Sequence, residues 1–272
     1  MKYGPILENI ILEKGKLVEE AKKKISMLDI NSLIPDLDPP IEFKSIFTSQ
    51  NVALIAEIKR SSASAGQIFP DLNLQDLVPT YINNGASAIS ILTEKTRFSG
   101  TISDLTEVSS IASKIKKTPT LQKDFVIDEY QVYESRLRGA SAILVIASIL
   151  SKDVFKSIIN KCREVSITPL VEVFTERELE LALENNAEVI GINNRNLNNL
   201  ETSLEVFENL APKVPSEKIL IAESGIRHTE DVIRMSKSGA DAVLVGESIL
   251  KNKDIPLPVS YTHLTLPTNR EV

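Results

Sequence analysis

Apolar residues along the chain gather in short runs separated by amphipathic stretches, and four of the runs open on the same pattern. Gly85-Ala86-Ser87-Ala88-Ile89 recurs as Gly139-Ala140-Ser141-Ala142-Ile143, as Asn186-Ala187-Glu188-Val189-Ile190 and as Gly239-Ala240-Asp241-Ala242-Val243, at separations of 54, 47 and 53 residues. In each copy a Gly or Asn, able to take the left-handed cap of a helix, precedes an apolar run too short to be a helix itself. The pattern marks a helix-to-strand junction. Midway between the copies lie four more runs, Leu54 to Ile58, Thr120 to Lys123, Pro169 to Val173 and Ile219 to Ala222. The eight candidate strands follow one another about every 27 residues, enough for a strand, a helix and two loops. Glu176 to Glu184, with Leu179, Ala182 and Leu183 on one side, and Thr229 to Ser236 after a Thr cap, fit as helices between them. The fold class is therefore α/β, a parallel (β/α)₈ TIM barrel. An open doubly wound sheet is the rival, but no GxGxxG follows the first strand and the even spacing favours closure.

Residues 1–47 form an N-terminal helical extension. Pro5 starts a helix, and Ile6, Ile10, Leu17, Ala21, Ile25 and Leu28 recur at near-helical spacing, which lays the segment across the barrel. Asn31 to Pro40, with three prolines, reads as a linker. The barrel occupies residues 48–255. Residues 256–272 read as a non-native tail: Val259 to Val272 has no helical apolar stripe and resembles translated adapter sequence, so the final barrel helix is expected to be missing.

Composition narrows the partners. With 272 residues, 42% of them hydrophobic, the chain has a core to bury and is neither disordered nor fibrous. Lys and Arg number 31 against 37 Asp and Glu, a formal charge of -6 without a dominant basic block, which argues against nucleic acid. Lys22 to Lys24 beside Glu19 and Glu20 read as a solvated helix face. A single cysteine, Cys162, excludes an internal disulfide, and with only two histidines no Cys/His zinc site is expected. The longest apolar run, Ala142 to Leu150, is too short to span a membrane, and Glu8 and Glu13 interrupt any signal peptide. A cytoplasmic protein is expected.

Charges then appear where a buried strand has no use for them. Strand side chains alternate, so Ile55, Glu57 and Lys59 share a face, as do Leu121 and Lys123, Leu170 and Glu172, Gly191 and Asn193, and Ile221 and Glu223. In each case the apolar residue comes first and the polar one last. Repeated on five strands, this marks the C-terminal mouth of a barrel, where active sites are built. Two lysines and three carboxylates in one cavity shift one another's pKa values, so one group donates protons while another accepts. Arg195 adds a fork for a carboxylate or phosphate. Glu223-Ser224-Gly225-Ile226 and Val245-Gly246-Glu247-Ser248, with a helix opening at Glu247, suggest a phosphate cradle, to which Ser62 and Ser64 also donate. Each glycine also serves as an ordinary βα turn.

Taken together, Ile55-Ala56-Glu57-Ile58-Lys59-Arg60-Ser61-Ser62, Leu92-Thr93-Glu94, Lys123-Asp124-Phe125, Leu170-Val171-Glu172-Val173, Gly191-Ile192-Asn193-Asn194-Arg195 and Ala222-Glu223-Ser224-Gly225-Ile226 resemble the indole-3-glycerol-phosphate synthase family of tryptophan biosynthesis. The resemblance runs from the N-terminal helix to about Leu250 and touches the barrel strands throughout. It implies a carboxy-lyase without metal or organic cofactor. Such an enzyme closes the indole ring of 1-(2-carboxyphenylamino)-1-deoxyribulose 5-phosphate with loss of carbon dioxide and water. It implies a phosphorylated small-molecule substrate and, as partners, other enzymes of the tryptophan pathway.

By the same resemblance Lys123 is the general acid, Glu172 a base or cation stabiliser, and Lys59, paired with Glu57, binds the substrate carboxylate and helps expel the hydroxyl. Asn193, Arg195 and Glu223 orient the substrate. Ser62, Ser224, Gly225, Gly246 and Glu247 match the phosphate cradle. Phe98, Phe125, Leu144 and Ile146 match the apolar pocket around the anthranilate ring, although core packing accounts for these four equally well. Ser62-Ala63-Ser64-Ala65-Gly66 departs from the family in lacking Pro after the first Ser and Lys before the Gly. Phosphoribosylanthranilate isomerase or another phosphate-binding barrel is the enzymatic alternative, but it leaves two strand-end lysines unexplained. An inactive barrel serving as a scaffold subunit is the other, and it would have lost the acid and base residues that remain here.

Overall fold

The structure, a computed structural model, describes residues 4–47, 51–62, 66–67 and 72–251. Eight parallel strands close into a barrel: β1 (Ala53–Ile58), β2 (Ala88–Leu92), β3 (Thr120–Lys123), β4 (Ala142–Ile146), β5 (Thr168–Val173), β6 (Val189–Asn193), β7 (Ile219–Glu223) and β8 (Ala242–Val245). Each strand pairs with its sequence neighbours, and β8 pairs with β1 to complete the ring. Helices α3 (Leu74–Asn83), α4 (Ile102–Lys114), α5 (Glu129–Leu137), α6 (Lys152–Glu164), α7 (Glu176–Glu184), α8 (Glu205–Leu210) and α9 (Thr229–Lys237) alternate with the strands, and α10 (Glu247–Lys251) follows β8. Helices α1 (Pro5–Lys24) and α2 (Met27–Leu33) precede the barrel. The segment 256–272 lies outside the described residues, as do 63–65 in the loop after β1.

The four echoed junctions have one backbone geometry. Gly85, Gly139, Asn186 and Gly239 have φ of 103°, 86°, 54° and 96°. The next residue in each case, Ala86, Ala140, Ala187 or Ala240, donates its N–H to the carbonyl five positions back at 3.0 Å. This is the bond of a Schellman cap. The strand starts three residues after the positive-φ position, at 88, 142, 189 and 242. A fifth junction of this form, Ser166 with φ 59° and Ile167 N–H on the Cys162 carbonyl at 2.9 Å, ends α6. It escapes the echo because serine carries no left-handed signal. Helix starts are equally local: Thr101, Asp128 and Thr175 cap α4, α5 and α7 in capping boxes with Asp104, Gln131 and Glu178. The residue capping α9 is His228, not Thr229.

The extension does cross the barrel, and Ile10, Ala21 and Ile25 of the expected stripe lie against the core. Leu7, Ile10, Lys14 and Val18 are buried, whereas Leu17 and Leu28 are exposed, Leu28 by 82%. Helical spacing alone admits a wider stripe than the barrel covers. The Gly4 N–H donates to Asn198 Oδ1 at 3.0 Å beyond β6, and Lys14 meets Asp124 just beyond β3 at 2.7 Å. Helix α1 thus spans the C-terminal mouth. Lys22 is not merely solvated, since it pairs with Asp128 at 2.8 Å. Asn31–Leu33, expected in the linker, belong to α2, and a 3₁₀ turn (Ile34–Asp36) follows. Among the described residues no helix is long and apolar enough to cross a membrane.

Candidate active site

Parallel register brings the strand-end groups to one level, because residues paired across the ladder share a face. Glu172 on β5 pairs with Gly191 on β6, and Asn193 on β6 pairs with Glu223 on β7. Glu57 on β1 pairs with Ser90 on β2. A cavity of about 800 Å³ opens above them, lined among others by Glu57, Lys59, Lys123, Arg195, Glu223, Ser224, Gly225, Gly246 and Glu247. Those nine were all singled out by the sequence.

Two ionic groups face this space. Lys59 Nζ donates to Glu57 Oε1 at 2.8 Å. Lys123 Nζ lies 2.5 Å from Glu223 Oε2 and 3.0 Å from Glu172 Oε2. Asn193 Nδ2 donates to the other Glu172 oxygen at 3.0 Å, while its own Oδ1 accepts the Arg195 N–H at 3.0 Å. Arg195 Nε is fixed by Thr202 Oγ1 at 3.1 Å.

Burial and charge pull these groups in opposite directions. Burial would raise the Glu57 pKa, but Lys59, Lys123 and Arg195 together hold it below the ordinary value. Burial would lower that of Lys123, yet Glu172, Glu223 and Glu57 raise it, so this ammonium keeps its proton. Burial pushes Glu223 up to about 8, and the like charge of Glu172 adds to the shift against the attraction of Lys123. One lysine facing two carboxylates leaves an excess negative charge, which a proton on Glu223 removes. Glu223 Oε1 is buried without a hydrogen-bond partner.

The loops after β7 and β8 approach closely. Gly225 has φ 81°, and a Cβ there would stand 2.9 Å from Thr202 Cγ2. Its neighbour Ser224 is itself left-handed, with φ 63°. Gly246 has a second reason to be glycine, since a Cβ would fall 2.6 Å from Glu57 Oε1. Arg227 and His228 also line the cavity, without having been expected there.

The expected apolar wall is only partly gathered. Ile146 and Glu172 line an adjoining cavity of about 550 Å³ beneath α1, together with Leu7 and Leu197, and Arg195 borders both cavities. Phe125 and Leu144 are buried in the core, and half-buried Phe98 packs against it. The Ser62 backbone pairs with Gly66 in a two-residue hairpin, while its side chain and Ser64 lie outside the described residues. Sequence reasoning missed three supports: Thr202 behind Arg195, Gly191 behind Glu223, and the buried Lys14–Asp124 pair next to Lys123. Only Gly191 carried a signal, a glycine in the middle of an apolar strand.

Known proteins resemble the chain in fold and in sequence. Solved barrels resemble the fold: 3-hexulose-6-phosphate synthase from Salmonella typhimurium superposes with TM-score 0.63 at 14% identity, covering 79% of this chain and 98% of that one. Thiamine phosphate pyrophosphorylase from Pyrococcus furiosus does so at 0.56 and 13%, covering 79% and 95%. At such identities they speak for the fold alone. The indole-3-glycerol phosphate synthase of Dehalococcoides mccartyi is 42% identical over 253 residues, 92% of this chain and 96% of that protein. The enzyme of that name from a Nocardioides species is 38% identical over 249 residues, 92% and 94%. The family model described as indole-3-glycerol phosphate synthase matches residues 7–260, and with this extent of match the chain belongs to that family.

Proposed function

We propose that the chain acts on 1-(2-carboxyphenylamino)-1-deoxy-D-ribulose 5-phosphate, closing the pyrrole ring and releasing carbon dioxide and water to give indole-3-glycerol phosphate. The observation that carries the reading is Lys123 Nζ, protonated and held between Glu172 and Glu223 across the cavity from the Glu57–Lys59 pair. The ring carbon bearing the carboxylate attacks the ribulose carbonyl carbon. The carbonyl oxygen takes a proton from Lys123 as the new carbon–carbon bond forms. The bond to the carboxylate then breaks, carbon dioxide leaves, and its electron pair restores the aromatic ring. Lys59 protonates the departing hydroxyl, which leaves as water. Glu172 takes the proton lost from the methylene carbon beside nitrogen.

Arg195 binds the substrate carboxylate as a planar fork, Asn193 orients Glu172, and Ser224, Gly225, Gly246 and Glu247 take the phosphate, with Ser62 assigned to the same end. Phe98, Phe125, Leu144 and Ile146 are assigned to the anthranilate ring, and a dry pocket there favours loss of the poorly solvated carboxylate. The isomerase alternative is not favoured, since both relatives and the family model carry the synthase name. A cytoplasmic location and contact with neighbouring enzymes of tryptophan synthesis complete the reading.

The test is conversion of the carboxyphenylamino substrate by purified protein, followed by the rise of indole fluorescence. Lys123→Ala is expected to abolish it. Full activity in that variant would overturn the assignment of the acid.

A further inference from the structure

Gly191 sits in the middle of β6, where glycine is a poor choice, since it weakens a strand and packs nothing. Its backbone does not require it: Gly191 is absent from the positive-φ residues, so an L side chain would fit the torsions. The reason is space. A Cβ at Gly191 would stand 2.0 Å from Glu223 Oε1, 3.1 Å from Glu223 Cδ and 3.2 Å from Leu170 Cδ1. Gly191 pairs across the ladder with Glu172 on one side and Ile221 on the other, so a side chain there would enter between the two carboxyls that hold Lys123. Gly246 repeats the device at Glu57, again without a left-handed φ.

We propose that Gly191 is a positioning residue, a gap in the barrel wall that seats the Glu223 carboxyl and thereby fixes its contact with Lys123. The proposal rests on the reading in which Lys123, held by Glu223, is the general acid. The atom a new Cβ would meet is the tip of a flexible side chain, so alanine is accommodated by turning the carboxyl rather than by breaking the wall. Turning it breaks the 2.5 Å contact to Lys123. The injury is therefore to turnover more than to the fold.

The experiment compares the parent with Gly191→Ala, Glu223→Ala, Glu223→Asp and the double variant Gly191→Ala/Glu223→Asp, by kcat, KM, pH–rate profile and thermal unfolding. Gly191→Ala is expected to lose kcat by roughly 10- to 100-fold with KM changed less than about threefold, and to shift the pH profile. Glu223→Asp alone is impaired, because the shorter carboxyl withdraws from Lys123. In that background, however, Gly191→Ala costs at least about tenfold less than in the parent, because the shortened side chain has vacated the clashing position.

Parent-like kcat in Gly191→Ala overturns the proposal, as do losses that simply multiply in the double variant. Parent-like kcat in Glu223→Ala instead overturns the role of Glu223 in holding Lys123, which separates that failure from failure of the seat. Should Gly191→Ala not fold, a folded and active double variant upholds the steric cause. A double variant that also fails to fold overturns it.

Discussion

Lys123 Nζ stands 2.5 Å from Glu223 Oε2 while also contacting Glu172, so a single cation answers two buried carboxyls. Burial, with the like charge of Glu172 beside it, outweighs the pull of Lys123 and raises the Glu223 carboxyl on β7 to about 8, against 4.5 for the free side chain. Between those values the unfolded chain has released this proton and the folded chain has kept it. The group's contribution to stability is therefore complete below about 4.5 and is lost as pH rises through 8. Glu223→Gln, which mimics the protonated form, removes that dependence. Denaturant unfolding at pH 5 and pH 9 should show the parent losing, relative to the variant, on the order of a few kcal/mol. Identical pH dependence in the two proteins would refute the raised pKa.

Arg195 depends on Thr202 for its direction. The Nε bond to Thr202 Oγ1 at 3.1 Å, with the backbone bridge between the same two residues, leaves the two terminal nitrogens for a ligand carboxylate. Thr202→Val keeps the shape and removes the acceptor. Its KM should rise roughly three- to tenfold with kcat nearly unchanged, as for the loss of about one hydrogen bond's orientation. Arg195→Lys gives up the planar fork and should raise KM further. Steady-state kinetics on the carboxyphenylamino substrate decides both, and an unchanged KM in Arg195→Lys would remove Arg195 from carboxylate binding.

The difference between these cases and Lys123 shows what the chain makes legible. Strand-end charges such as Lys123 and Glu172 are visible because alternation within a strand fixes their face and the strand order fixes their level. The junctions at Gly85, Gly139 and Gly239 are visible because glycine is the ordinary residue at a left-handed cap. Thr202 belongs to a loop that folds back on Arg195, and loop paths have no periodicity to read. The buried stripe of the extension is legible only in part, because Lys14, a charge, occupies its centre while Leu17 and Leu28 face out. Hydrophobic spacing cannot count a lysine as inward.

That lysine supports a second stability prediction. Lys14 and Asp124 are both almost wholly buried, 2.7 Å apart, and Asp124 also accepts the Thr93 hydroxyl at 2.6 Å and the Phe125 N–H at 2.7 Å. Removing Lys14 alone strands a carboxylate inside the protein. Lys14→Met should therefore cost about 3–5 kcal/mol, whereas Lys14→Met/Asp124→Asn should recover a large part of it. Chemical denaturation of the two variants measures this directly. A double variant as unstable as the single one would show that the ion pair is not what ties α1 to the mouth.

Ser166 holds a position that its chemistry does not favour. With φ 59° it does at the end of α6 what Gly139 does at the end of α5, and a Cβ in the left-handed region is strained. Its N–H bonds to the Arg163 carbonyl, and the cap is closed by Ile167 on Cys162, so only backbone atoms make the turn. Ser166→Gly keeps those bonds and relieves the strain, with some return of entropy to the unfolded chain. The balance should be a gain of up to about 1 kcal/mol. The reverse change, Gly139→Ala, imposes the strain at φ 86° and also brings a Cβ within 3.1 Å of Ser109 Cβ, so it should lose more than Ser166→Gly gains. Thermal unfolding of the two variants beside the parent tests the pair. A lower melting temperature in Ser166→Gly would mean that the serine side chain contributes a contact outweighing its backbone strain.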